Sequence, residues 1–129
     1  MLKVGDKVSL KRAFSQTEVI EYAKLTGDNN PLHVDPEFAA ESSFGRPIVH
    51  GLLVSGLISA LLGSKLPGEG TIYLGQELKF LAPVFVDEEI EAVVEVVDIR
   101  QDKPIVTLRT CCFNMQGEMV LEGKAVVKI

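Results

Sequence analysis

The sequence predicts an α+β fold in which an antiparallel sheet wraps around a long buried helix, on three observations. A run from Gly51 to Leu62 is apolar on nearly every side, the mark of a helix enclosed by the rest of the chain. From Thr71 onward the pattern turns to β, with alternating faces and turn residues at regular intervals. The last three strands follow one another through short turns, the connection that antiparallel neighbours require.

Element by element, a short first strand is expected over Val4 to Arg12. Phe14-Ser15-Gln16-Thr17-Glu18-Val19 reads as a helix start. Ser15 is the cap, Glu18 closes a capping box and Phe14 can staple onto Val19. Val19, Ile20, Ala23 and Leu25 supply the apolar side of that helix, and Gly27 ends it. A segment around Pro31 is expected to be irregular, because proline removes a donor and pushes Asn30 towards extended geometry. Asp35-Pro36-Glu37 opens a short helix to about Glu41. Ser42 to Val49 reads as loop, then comes the buried helix with Gly63 as its stop. Strands are expected at about Ile72 to Leu81, Glu88 to Arg100, Pro104 to Asn114 and Glu118 to Ile129. In the second of these, Glu89, Glu91, Val93 and Glu95 face one way and Ile90, Ala92, Val94 and Val96 the other.

With 129 residues the chain reads as one domain, 1–129, long enough to bury a core. Its net charge of -5 argues against a nucleic-acid partner. No apolar run approaches the roughly 20 residues of a membrane span, and no export signal opens the chain, so no membrane partner and a cytoplasmic location are expected. Cys111 and Cys112 are neighbours, too close for ordinary disulfide geometry and too few for a zinc site. They read as small residues on opposite faces of a strand.

The chemistry points to one stretch. Asp28 and His33 lie five positions apart in a loop able to aim a carboxylate and an imidazole at one point. Gly51 then opens a helix whose N-terminus offers unpaired N–H groups and partial positive charge, a place to hold a developing oxyanion. Asp35 reads as a helix cap and His50 as a residue setting the entry to the buried helix.

Asp28-Asn29-Asn30-Pro31-Leu32-His33-Val34-Asp35, Phe44, Pro47-Ile48-Val49-His50-Gly51 and the serines of the next helix resemble the hydratase signature of the MaoC-like family. The likeness is closest to its R-specific enoyl-CoA hydratases, single-domain hotdog-fold proteins. Leu66-Pro67-Gly68, Ile72-Tyr73-Leu74-Gly75-Gln76 and Pro83-Val84-Phe85-Val86 also resemble that family, so nearly the whole chain is covered. The resemblance implies reversible hydration of a trans-2-enoyl-CoA to an (R)-3-hydroxyacyl-CoA, with no metal or redox cofactor. It implies a homodimer with hotdog sheets joined edge to edge and active sites at the interface. It assigns Asp28 and His33 to a shared water and the Gly51 amide to the thioester oxygen, with Ser59 and Asn30 as further substrate-binding candidates. Which of Asp28 and His33 delivers the α-proton stays open. So does the choice among Arg46, Lys65, Lys79 and Lys103 for the CoA phosphates. A hotdog thioesterase and a non-catalytic acyl-CoA-binding module are the rival readings.

Overall fold

The computed structural model describes residues 1–129. In chain order the elements are β1 (Lys7–Arg12), α1 (Gln16–Thr26), α2 (Pro31–Val34), α3 (Pro36–Ala40), α4 (Gly51–Ser64), β2 (Ile72–Phe80), β3 (Ile90–Ile99), β4 (Ile105–Asn114) and β5 (Met119–Lys128). One five-stranded sheet runs β1-β3-β4-β5-β2. All its pairings are antiparallel, which makes the chain α+β as expected. The hairpin run β3-β4-β5 forms the centre, and β2, arriving from α4, pairs with β5 at one edge.

Local chemistry explains most boundaries. Ser15 accepts from the Glu18 amide while the Glu18 carboxylate takes the Ser15 amide, so both ends of the capping box are closed. Phe14 and Val19 are buried in one cluster. Gly27 takes φ 86 and donates its N–H to the Ala23 carbonyl, a left-handed cap that an L side chain would strain. Asp35 Oδ1 accepts from the amides of Glu37 and Phe38, the capping role expected of it.

The core forms between one side of α4 and the inner face of the sheet. Val54, Leu57, Ile58, Leu61 and Leu62 meet the row Ile90, Ala92, Val94 and Val96 of β3, with Val106, Leu108, Leu121 and Val127 beyond. That β3 row is fully buried while its neighbours in sequence are not, which is the period-2 alternation the sequence carries. Cys112 lies in this core cluster and Cys111 on the other face, where Arg109, Glu122 and Lys124 surround it.

Four expectations are corrected. Pro31–Val34 is a turn of helix, because Asn30 caps it and proline suits the first helical position, where no N–H is needed. Gly63 does not stop α4, which continues to Ser64. The chain leaves at Leu66-Pro67-Gly68 instead, where Gly68 takes φ 102 and returns its N–H to the Leu62 carbonyl. Leu25 is 87% exposed. Val19 and Ala23, four apart, face the core, and a residue two further on points away. Finally, α4 is not enclosed on every side. Leu52 (61% exposed), Gly56, Ser59 and Ala60 form an open face.

Candidate active site

The segment after α1 is built from a chain of local polar bonds. Thr26 Oγ1 accepts from the Asp28 amide, Asp28 Oδ1 from the Asn30 amide, and Asn30 Oδ1 from the Leu32 amide. Each short polar side chain substitutes for a backbone partner, so the turn holds its shape while exposed. The short helix α2 then carries His33 inward, and Gln16 of α1 donates to its carbonyl. On the other side, residues 47–49 are strapped to 84–86. Val49 donates to the Val84 carbonyl, Val86 to that of Pro47, and Ile48 bridges to Phe85.

His33 lies between these supports, and its Nδ1 is 2.7 Å from the Ile48 carbonyl oxygen. A carbonyl accepts and never donates, so Nδ1 carries a hydrogen, and in the neutral tautomer the lone pair resides on Nε2. His50 caps α4, its carbonyl accepting from the amides of Leu53 and Val54. Its side chain turns back under the loop, with Nε2 donating to the Asp28 carbonyl at 3.0 Å. The two rings stack, centroids 3.9 Å apart and planes at 29°, and the Tyr22 ring of α1 packs against His50 at a tilt of 55°, centroids 4.7 Å apart. Only 2% of His50 is exposed. Burial pushes its pKa below the usual histidine value, and proximity to His33 adds to this while the bond to Asp28 opposes it. His50 is accordingly neutral near pH 7.

One carboxylate oxygen of Asp28 and one ring nitrogen each of His33 and His50 all lie within 4.8 Å of one another. They open onto a cavity of about 460 Å³ whose wall also includes Gly51 and, among apolar residues, Phe44, Leu52, Val54, Phe80 and Leu121. As the first residue of α4, Gly51 has no carbonyl one turn back to pair with its N–H. The carboxylate, the imidazole and the helix N-terminus expected from the sequence therefore meet at one pocket.

Chain 3–110 matches the MaoC like domain. The chain belongs to the MaoC-like family. It is 53% identical to the (R)-specific enoyl-CoA hydratase of Aeromonas caviae, covering 99% of this chain and 96% of that one. It is 42% identical to the 3-hydroxybutyryl-CoA dehydratase of Methylorubrum extorquens, over 99% and 81%. The solved (R)-hydratase from A. caviae involved in PHA biosynthesis superposes with a TM-score of 0.98, covering 99% and 97% of the two chains. The hotdog fold expected from the sequence is thereby established for this MaoC-like chain.

Not every candidate residue gathers at the pocket. Asn30 is exposed, and its side chain is occupied in capping α2. Ser59 lines a separate hollow with Tyr73 and Gln76 on the open face of α4, and Leu52 borders both spaces. Among the basic candidates, Arg46 lies 4.0 Å over the Phe85 ring beside the strap, whereas Lys79 belongs to a hollow on the outer face of the sheet. Two residues escaped the sequence reading. Tyr22 supports His50 from α1, and its place one residue before buried Ala23 was the available signal. Phe80 lays its ring against Gly51 from the far end of β2. That contact spans 29 positions of sequence, and no local pattern announces it.

Proposed function

We propose that this chain is an (R)-specific enoyl-CoA hydratase, interconverting trans-2-enoyl-CoA and (R)-3-hydroxyacyl-CoA. The observation that carries the reading is the approach of the Asp28 carboxylate and His33 ring beside the N-terminus of α4. The family relatives named above support the reaction class.

Hydration adds a water oxygen to C3 and a proton to C2, while negative charge builds on the thioester oxygen. The lone pair on His33 Nε2 and the Asp28 carboxylate are two acceptors able to hold one water between them. As the C3–O bond forms, this pair removes the water's proton. The pair then returns a proton to C2, so no net charge is left. Such general acid–base steps are each worth about 10²–10⁴-fold. The Gly51 amide, backed by the helix dipole, receives the enolate-like oxygen, a contribution of about 3–4 kcal/mol in comparable sites. Neutral His50 ties the Asp28 backbone to the start of α4, which holds both halves of the site in register.

The homodimer belongs to the same proposal. Its support is β2, an edge strand with exposed Ile72, Tyr73 and Leu74, lying beside the open face of α4 with its exposed Leu52. An exposed apolar edge strand invites pairing with a second copy. The reading also includes a single functional unit over 1–129 and a cytoplasmic location. No helix is long and apolar enough to cross a membrane.

The deciding experiment is Asp28→Asn assayed for crotonyl-CoA hydration. Because Asp28 is exposed, the fold should persist while turnover falls about 10²-fold or more. Near-wild-type turnover would remove Asp28 from the chemistry, and release of free thiol in place of hydration would favour a thioesterase.

A further inference from the structure

Three of the chain's arginines have acidic neighbours. Arg12 pairs with Glu18, Arg100 pairs with Asp102, and Arg109 lies beside Cys111 with Glu95 and Glu122 nearby. Arg46 makes no ion pair, and its guanidinium rests 4.0 Å over the Phe85 ring instead. The ring's negative face holds the cation in place and leaves its N–H donors free. Glu88, the acid in this part of the chain, is taken by the Phe85 amide at 3.0 Å. An exposed guanidinium ordered in advance and left without an anion is suited to receive one, since its planar fork matches phosphate.

Arg46 stands beside the cavity of the candidate site. Phe44 and Ile48, on either side of it in sequence, line that cavity, as does Val84 across the strap. Pro47 disfavours helical geometry at Arg46, so Arg46 and Ile48, two apart, share a side of the strap. Phe85 is the bridge partner of Ile48, and the guanidinium over its ring keeps to that side. From Arg46 to Gly51 the chain can span at most about 18 Å. In a CoA thioester about thirteen bonds separate the sulfur from the first phosphorus, about 14–16 Å at the extension of a peptide chain. The two lengths match. The other basic candidates are placed elsewhere. Lys65 follows the far end of α4, about 20 Å along the helix from Gly51. Lys79 lines a hollow on the outer face of the sheet. Lys103 is in the β3–β4 turn, next to the pairing of Ile105 with Lys128, about 23 Å along β5 from Leu121 of the cavity wall.

We propose that Arg46 receives the first phosphate of the pantetheine arm of CoA, and that Phe85 is the platform holding its guanidinium in position. The identity of the thioester rests on the hydratase reading. A net charge of -5 repels an acidic carrier protein and leaves a local cation able to bind a small anion, so CoA is the bearer of the phosphate. Because the phosphate is remote from the reacting atoms, Arg46 grips ground state and transition state alike. It therefore lowers KM and leaves kcat alone.

The test is hydration kinetics of wild type, Arg46→Ala and Phe85→Leu on crotonyl esters of CoA, 4′-phosphopantetheine and pantetheine. Arg46→Ala should raise KM for crotonyl-CoA about tenfold at unchanged kcat. It should lose as much on crotonyl-phosphopantetheine, which keeps the first phosphate, and nothing on crotonyl-pantetheine, which has none. Phe85→Leu should raise KM for crotonyl-CoA by a smaller factor, since the charge stays and its platform goes. Equal KM in wild type and Arg46→Ala, or an equal loss on crotonyl-pantetheine, would overturn the assignment. A loss on crotonyl-CoA that is absent on crotonyl-phosphopantetheine would move the contact to the 3′-phosphate and overturn it too. An unchanged KM in Phe85→Leu would overturn the platform, and a preference for crotonyl-loaded acyl carrier protein over crotonyl-CoA would overturn CoA as the bearer. If wild type hydrates none of these esters, the hydratase reading falls. Calorimetric titration with CoA itself then judges Arg46 alone, weaker binding in Arg46→Ala supporting the contact and equal binding overturning it.

Discussion

Gly51→Ala is the sharpest probe of the helix N-terminus. A Cβ built on Gly51 would stand 2.5 Å from Phe80 Cε1, 2.7 Å from Cδ1 and 3.1 Å from Cζ. Ordinary carbon contacts begin near 3.5 Å, so the ring must retreat by about 1 Å. Phe80 is 55% exposed and ends its strand, so it can move without disturbing the core. The stability cost belongs at the low end of overpacking, about 1 kcal/mol, which lowers Tm by about 3–5 °C for a chain of this size. The chemical cost is larger. The displaced ring and the new methyl crowd the amide to which the thioester oxygen is assigned, and losing such a donor costs about 10²–10³ in kcat. Thermal denaturation and crotonyl-CoA kinetics on Gly51→Ala, Phe80→Ala and the double variant form a cycle that separates the two costs. Stability should recover in the double variant, where no ring remains to clash. Wild-type kcat in Gly51→Ala would refute the oxyanion assignment, and a Tm loss undiminished by Phe80→Ala would refute the contact.

Gly123→Ala should be far more damaging, since its Cβ would fall 1.8 Å from the Glu77 carbonyl oxygen, and a paired backbone has no room to yield. Detachment of β2 should appear as fast hydrogen exchange across Ile72–Phe80. The depressed pKa of His50 makes stability depend on pH in one direction. Below about pH 6.5 the unfolded chain binds a proton that the folded one resists, so Tm should fall with acidification and fall less in His50→Phe. For Cys112, burial pushes the thiol up to about 12 from 9.0. Iodoacetamide at pH 8 should leave it unmodified until the chain unfolds, and from pH 9 upward stability should decline because only the unfolded thiol ionises.

Legibility from the sequence followed the range of the forces involved. The capping box at Ser15, the stop at Gly27 and the cap at Asp35 depend on atoms within four residues and were all readable. The pocket order of acid, histidine and helix start was readable as well, because the motif itself spells it out. The irregular loop expected at Pro31 became a helical turn, since one proline reads equally as breaker and as first helical residue. The apolar circumference of α4 suggested enclosure on all sides. Hydropathy records that a surface avoids water and does not say which neighbour covers it, and within this chain one side has none.

By itself, the sequence determined the caps, the strand alternation, the α+β class and the candidate acid and histidine. Each is a matter of dihedral preference, period or residue type along the chain. Tertiary structure alone decided the strand order β1-β3-β4-β5-β2, the stacking of His33 on His50 and the ring of Phe80 against Gly51. It also put Ser59 on a face away from the main pocket. These contacts join residues up to tens of positions apart, and they form when closing the core lowers the free energy of the whole chain. No local preference encodes them.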